Sequence, residues 1–184
     1  QIAPHDYGSN NAPILREAQR LAMKLPNTGM VVTSDIGSLE TIHPENKQDV
    51  GKRLALWALN KTYGKKDVVY SGPLYKSIIT EGNRIRVNFD NVGSGLFCPD
   101  TALTFFEIAG KDGKYYPAVA KINREQVVVR SSKVKQPVHV RFGWTDTAIP
   151  NLFNKERLPA ASFSSEMMGI EGNQESRRQT RNNE

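Results

Sequence analysis

At Lys66 the spacing of apolar residues changes period, and this change limits what the chain can fold into more than any other feature. Before it, apolar residues recur at helical intervals. After it, short segments rich in β-branched and aromatic residues alternate with turn residues. Ile85, Val87 and Phe89 alternate with Arg84, Arg86 and Asn88, and Val138, Val140 and Phe142 alternate with His139 and Arg141. Leu103 to Ile108, Tyr115 to Ile122 and Val127 to Arg130 continue the pattern. Turns are marked by Glu81-Gly82-Asn83, Lys111 to Lys114 and Asn123-Arg124. The expectation is an antiparallel β-sandwich over 67–163, each strand burying one face.

The first 66 residues read as the end of an α/β domain. Gln1 to Pro4 alternates like a short strand or strand end. Asn10 or Asn11 caps a helix with Pro13 in its first turn, and Ile14, Ala18, Leu21 and Leu25 form its apolar stripe, flanked by Leu15 and Ala22. That helix ends near Pro26 and Gly29. Met30 to Thr33 reads as a buried strand, and Asp35 to His43 as the loop at its carboxyl end, where α/β sheets meet their ligands. Pro44 then takes the first position of a second helix. Val50, Leu54, Trp57 and Ala58 are its expected buried stripe, with Lys47, Asp49, Lys52 and Arg53 mostly on the wet side and Gly64 as the stop.

With 184 residues, 38% of them hydrophobic and 24% charged, the chain can bury a real core. Its single cysteine, Cys98, excludes an internal disulfide and, lacking an adjacent base or helix start, reads as inert. No stretch has the apolar length of a membrane-spanning helix. Gln1 reads as an internal start, so a processed product or the C-terminal part of a longer chain is expected. The net charge of +6 raises the possibility of nucleic-acid binding, but basic residues are scattered among acidic ones, with one dense group, Arg177, Arg178 and Arg181, in a polar segment from Ser164 onward expected to be disordered.

Chemistry concentrates at Met30 to Gly64. An imidazole at a helix start tends to stay neutral, and a nearby carboxylate can orient it and stabilise the imidazolium formed during reaction. His43 is therefore the candidate general base, with Asp35 or Glu40 as its acid. Glu40 lies three residues before the histidine, and Asp35 stands at the strand end, a more rigid support. The alternative is a helix-start histidine whose ring bonds to backbone. His5 and His139 lack comparable surroundings, and no pair of histidines or carboxylates has metal-ligand spacing on a helix face. Gly93-Ser94-Gly95 is not a nucleophile elbow, so the nucleophile served by His43 is expected outside this chain.

The block Ile42 to Ala58, IHPENKQDVGKRLALWA, resembles the histidine block of sialate O-acetylesterases, within the SGNH-type hydrolase superfamily. QIAPHDYG, ILREAQ and GMVVTSDIG match that family in the same order, and SGPLY, FEIAGKDGKYYPA, VRFGWTD and NLFNKERLPA resemble its C-terminal β region. The resemblance covers about residues 1–163. It implies a flavodoxin-like α/β domain joined to a β-sandwich, and cofactor-free removal of acetyl groups from sugar hydroxyls, typically on O-acetylated sialic acids. In that family a serine of a Gly-Gln-Ser-Asn motif attacks the ester, and the histidine carried over to His43 is the base. Members of that family are often exported, periplasmic or secreted. The serine motif and the oxyanion-hole blocks are absent here and would precede Gln1, and Glu40 fills the place of the superfamily's aspartate. The fragment alone is expected to be inactive. A second reading is a non-catalytic carbohydrate-binding β-sandwich, with Tyr70, Tyr75, Tyr115, Tyr116 and Trp144 as a stacking platform. Nucleic-acid binding through the basic tail ranks third.

Overall fold

The protein is described by a computed structural model covering residues 1–166. Two helices precede ten strands. They are α1 (Ala12–Ala22) and α2 (Lys47–Trp57), the latter prolonged by a π-helical turn, Ala58–Thr62. The strands are β1 (Leu74–Glu81), β2 (Arg84–Asp90), β3 (Leu96–Phe97), β4 (Phe106–Ala109), β5 (Tyr115–Pro117), β6 (Val119–Asn123), β7 (Gln126–Arg130), β8 (His139–Phe142), β9 (Phe153–Asn154) and β10 (Phe163–Ser164).

The period-two segments fold as their alternation dictates. Two antiparallel four-stranded sheets form, ordered β1-β2-β7-β6 and β10-β8-β4-β5, beside a β3-β9 ribbon. In the first sheet Ile85 pairs with Val129 and Val87 with Val127, and in the second Ile108 pairs with Val140 and Phe106 with Phe142. These residues, all buried, join Tyr75, Phe89 and Phe163 in one core, with Tyr75 stacked on Phe163 at 4.6 Å between ring centroids. The β-rich region is thus a sandwich whose two sheets share an interior. Strand β1 lies outside the segments singled out by alternation, because its outward residues include Ile79 and blur the pattern, and β3, β9 and β10 do so because two residues are too few to show a period. The strand expected from Leu103 begins only at Phe106; before it Thr104 is tied instead to the Asn151 side chain.

The helical part departs from expectation. Both helices form, but α1 is turned inside out: its buried residues are Ala12, Pro13, Arg16, Glu17 and Arg20, while Ile14, Leu15, Ala18 and Leu25 face outward. The reason is a set of long-range polar bonds. Arg16, fully buried, donates to the carbonyls of Ile2, Ala3, Thr145 and Asp146. Asp146 accepts from the backbone N–H groups of Asn10 and Ala12, both at 2.9 Å, and so caps α1 from 134 residues away. Glu17 and Arg20 pair with each other at 2.6 Å inside the same seam. A buried charge persists only when paired and hydrogen-bonded, and here the backbone of the β region supplies much of that pairing.

Two further expectations are corrected. Met30 to Thr33 makes no β-ladder; Gln1 runs beside it, its carbonyl accepting from the Thr33 hydroxyl at 2.7 Å, and no parallel ladder is formed among the described residues. Gln1 to Pro4 is likewise without a ladder. A lone pair of short segments lacks the flanking strands that would complete a parallel sheet. The second helix starts at Lys47 rather than Pro44, because Asn46 caps it by accepting from the Asp49 N–H at 3.0 Å. Gly64 ends the helical run at φ +70°, as anticipated.

Ser164, placed by composition in the polar tail, belongs to β10, and Ser165 exchanges bonds with Val140. From residue 167 on, that segment, with Arg177, Arg178 and Arg181, lies outside the described residues.

Candidate active site

The chain from Val32 to Asn46 is built on α2. Arg53, expected on the wet side, is the one residue of α2 buried below a tenth of its surface. Its guanidinium grips both oxygens of Asp35, at 2.7 and 2.5 Å, and donates to the Val32 carbonyl at 2.6 Å. This planar, two-pronged match fixes orientation as well as distance. Next to it the chain turns at Ile36, whose N–H reaches the Thr33 carbonyl, and Gly37 presses against Pro4 so closely that a Cβ would lie 2.6 Å from the proline ring.

Beyond Gly37 the loop is held by its own short side chains. The Ser38 hydroxyl accepts from the Glu40 N–H and the Thr41 hydroxyl from the His43 N–H, both at 3.1 Å. Glu40 and His43 are exposed, as are their neighbours Leu39 and Ile42. Among the described residues no hydrogen bond or ion pair joins the His43 ring to Asp35 or Glu40. The structure therefore unites Asp35 with Arg53 and sets Glu40 and His43 on the open part of the same loop. His43 lies three residues ahead of the α2 cap, so the helix dipole acts on it less than an N-terminal position would allow.

Arg53 was the residue that sequence reasoning missed. A signal was present: Arg53 falls three residues after Val50 and four before Trp57, so helical spacing places it on the same face as two residues of the expected buried stripe.

The other candidates settle elsewhere. His5 edges against Tyr7 at 5.2 Å, with its Nδ1 buried and unpaired among the described residues, and half-buried His139 lies in β8 opposite Ala109. The Gly93-Ser94-Gly95 turn is capped by Glu156, which accepts from the Ser94 N–H and hydroxyl. Burial pushes the Glu156 carboxyl up, but these bonds outweigh it and hold the group below its usual range. The Cys98 thiol points to the Ala102 carbonyl. The aromatic residues make separate contacts: Tyr75 is in the core, Tyr115 lies under Arg141 with its phenol pushed up to about 12, chiefly by burial, and Tyr116 neighbours Lys133. Tyr70 meets Trp57 edge-on at 4.7 Å, both lining a groove of about 730 Å³ with Leu25, Leu54 and Lys61. Among the described residues no group of three or more histidine, cysteine, aspartate or glutamate side chains could hold a metal ion, and no helix is long and apolar enough to cross a membrane.

No family model matches the chain. It is similar to sialate O-acetylesterase from Mus musculus, 27% identical over 130 residues covering 66% of this chain and 24% of the mouse protein. A stretch of 59 residues is 42% identical to the Rattus norvegicus sialate O-acetylesterase, covering 30% of this chain and 11% of the rat protein. A crystal structure of a carbohydrate acetylesterase from Xanthomonas citri superposes with a TM-score of 0.85 at 40% identity, over 90% of this chain and 40% of that one. The matched part thus spans about a quarter of the mouse protein and two fifths of the Xanthomonas protein.

Proposed function

Starting from its kinship with the sialate O-acetylesterases, we propose that this chain is the C-terminal part of a carbohydrate O-acetylesterase. In this reading residues 1–66 complete a flavodoxin-like α/β esterase domain, and the β-sandwich that begins at residue 67 runs on through β10. The likeness to the Xanthomonas carbohydrate acetylesterase over nine tenths of the chain carries the reading. The outward apolar side of α1 supports it: Ile14 and Leu15, like Leu54 on α2, are each about half exposed, as an amphipathic helix would be if more of its domain were to cover it.

The serine nucleophile and oxyanion donors stand upstream of Gln1. His43 takes the serine proton as the hydroxyl attacks the acetyl carbonyl and returns a proton to the departing sugar oxygen. Asp35 or Glu40 orients the ring and stabilises the imidazolium. Serine, base and oxyanion donors suffice for ester hydrolysis, so no cofactor is called on. The substrate is an O-acetylated sugar or glycan, and the 184-residue chain alone is inactive.

The test restores the upstream residues and measures acetyl ester hydrolysis. His43→Ala should lower kcat by roughly 10³-fold or more; retention of near-full activity removes His43 from the mechanism. Glu40→Gln and Asp35→Asn in the same protein identify the acid, since the partner of His43 should show the larger loss.

A further inference from the structure

The loop that carries His43 leaves α2 and returns to it. At its entry Asp35 is locked to Arg53, and at its exit Asn46 caps the first turn of the same helix. Asn46 and Arg53 are seven residues apart, about 10 Å along the axis. Residues 36–45 therefore form a closed loop standing on one rigid rod. Between the two feet the loop is held by turn bonds of Ser38 and Thr41, by the seating of Gly37 on Pro4, and at its ends by the backbone bonds Ile36 N–H to Thr33 and Lys47 N–H to Glu45. The entry foot is the stronger: three charge-assisted bonds of 2.5 to 2.7 Å, with side chains 10% and 16% exposed.

We propose that Arg53 is a positioning residue for the esterase reaction, and that Asp35 is its anchor rather than the group that orients the His43 ring. Both carboxylate oxygens of Asp35 already face the guanidinium fork, and the same guanidinium ties down the Val32 carbonyl. The pair sets the direction in which the loop departs, and through it the position of His43 at the far end. Glu40, exposed and free of any ion pair among the described residues, is left as the acid for the ring. This inference rests on the esterase reading above.

In the full-length protein, Arg53→Met should lower kcat for a chromogenic acetyl ester about 100-fold, the scale of a small misplacement of a catalytic group. KM should stay within about twofold, at a temperature well below the variant's unfolding midpoint. Arg53→Lys should recover midpoint but not kcat, because an ammonium cannot bridge both carboxylate oxygens. Asp35→Asn should cost about as much as Arg53→Met, and the double variant Arg53→Met/Asp35→Asn no more than either alone. Unchanged kcat in Arg53→Met, or an Asp35→Asn loss far exceeding it and additive with it, overturns the proposal. A second readout needs no esterase activity: in the 184-residue chain, Arg53→Met should speed amide hydrogen exchange across 36–43 at least tenfold while leaving β2 and β7 unchanged. An unaltered exchange pattern would overturn the clamp, whereas a wild-type full-length protein without esterase activity would overturn the functional reading alone.

Discussion

In β2 and β7 the apolar residues of the alternation, Ile85, Val87, Val127 and Val129, are the ones removed from water, and their polar neighbours remain wet or half-wet. In α1 the assignment is reversed, with Arg16 and Glu17 fully buried while Ile14 and Leu15 remain nearly half exposed. Both segments are amphipathic. The sheets enclose their own interior, so the apolar side must face inward; the covered face of the helix is set by Arg16, whose guanidinium is bonded to carbonyls of the N-terminal segment and of the turn after β8, and its apolar side is left over. Amphipathicity alone says that two faces differ, and the surroundings decide which one is covered.

The largest break in this contrast should come from Arg16→Met. Four backbone carbonyls would lose their donor in a dry seam, and a loss of about 3–5 kcal/mol in urea unfolding is expected, comparable to breaking a buried pair. Phe142→Ala, in the sandwich core, should cost a similar roughly 3–5 kcal/mol through cavity formation. A polar seam as costly to break as an aromatic core would establish the two regions as equals. Asp146→Ala removes the distant cap of α1, and about 1–2 kcal/mol should be lost, with helix signal falling more than sheet signal in circular dichroism. On the opposite face of α1, Ile14→Ser should change the stability of this chain by no more than about 0.5 kcal/mol. The same change in the full-length protein should be markedly destabilising if that face is covered there, which differential scanning calorimetry on both would read.

The smallest effect concerns Glu156. Its folded pKa lies below the unfolded value, so its stabilising contribution is present above the unfolded pKa and disappears as pH falls through the folded one. Unfolding midpoints measured from pH 6 down to pH 3 should drop slightly more in the wild type than in Glu156→Gln.

Much of the sandwich was legible in the sequence because alternation is a local property and a one-sided strand has only one way to bury it. The turns around Gly82 and Arg124 were equally local. What escaped was set by distance. Nothing near Arg16 in the chain announces Thr145 and Asp146, and Arg53, expected with the charged residues of the wet side, is covered because Asp35, 18 residues away in the chain, pairs with it. The strand expected at Met30 failed for a related reason, since a ladder needs neighbours that a local pattern cannot supply. Around the candidate site the loop and the helix were readable, whereas the entry to the loop was not, because an arginine buried by an ion pair looks on paper like any surface arginine.

The cap on α1 has a consequence for how the chain comes into being. A ribosome adds about 5–20 residues per second, so on the order of ten seconds separate the emergence of Ala12 from that of Asp146. Through that interval α1 has neither its cap nor two of the four carbonyls that Arg16 is bonded to, and an isolated helix of 11 residues is marginal in water. The first helix of the chain is thus among the last parts to settle, waiting on a segment that is synthesised after nearly all of the sandwich.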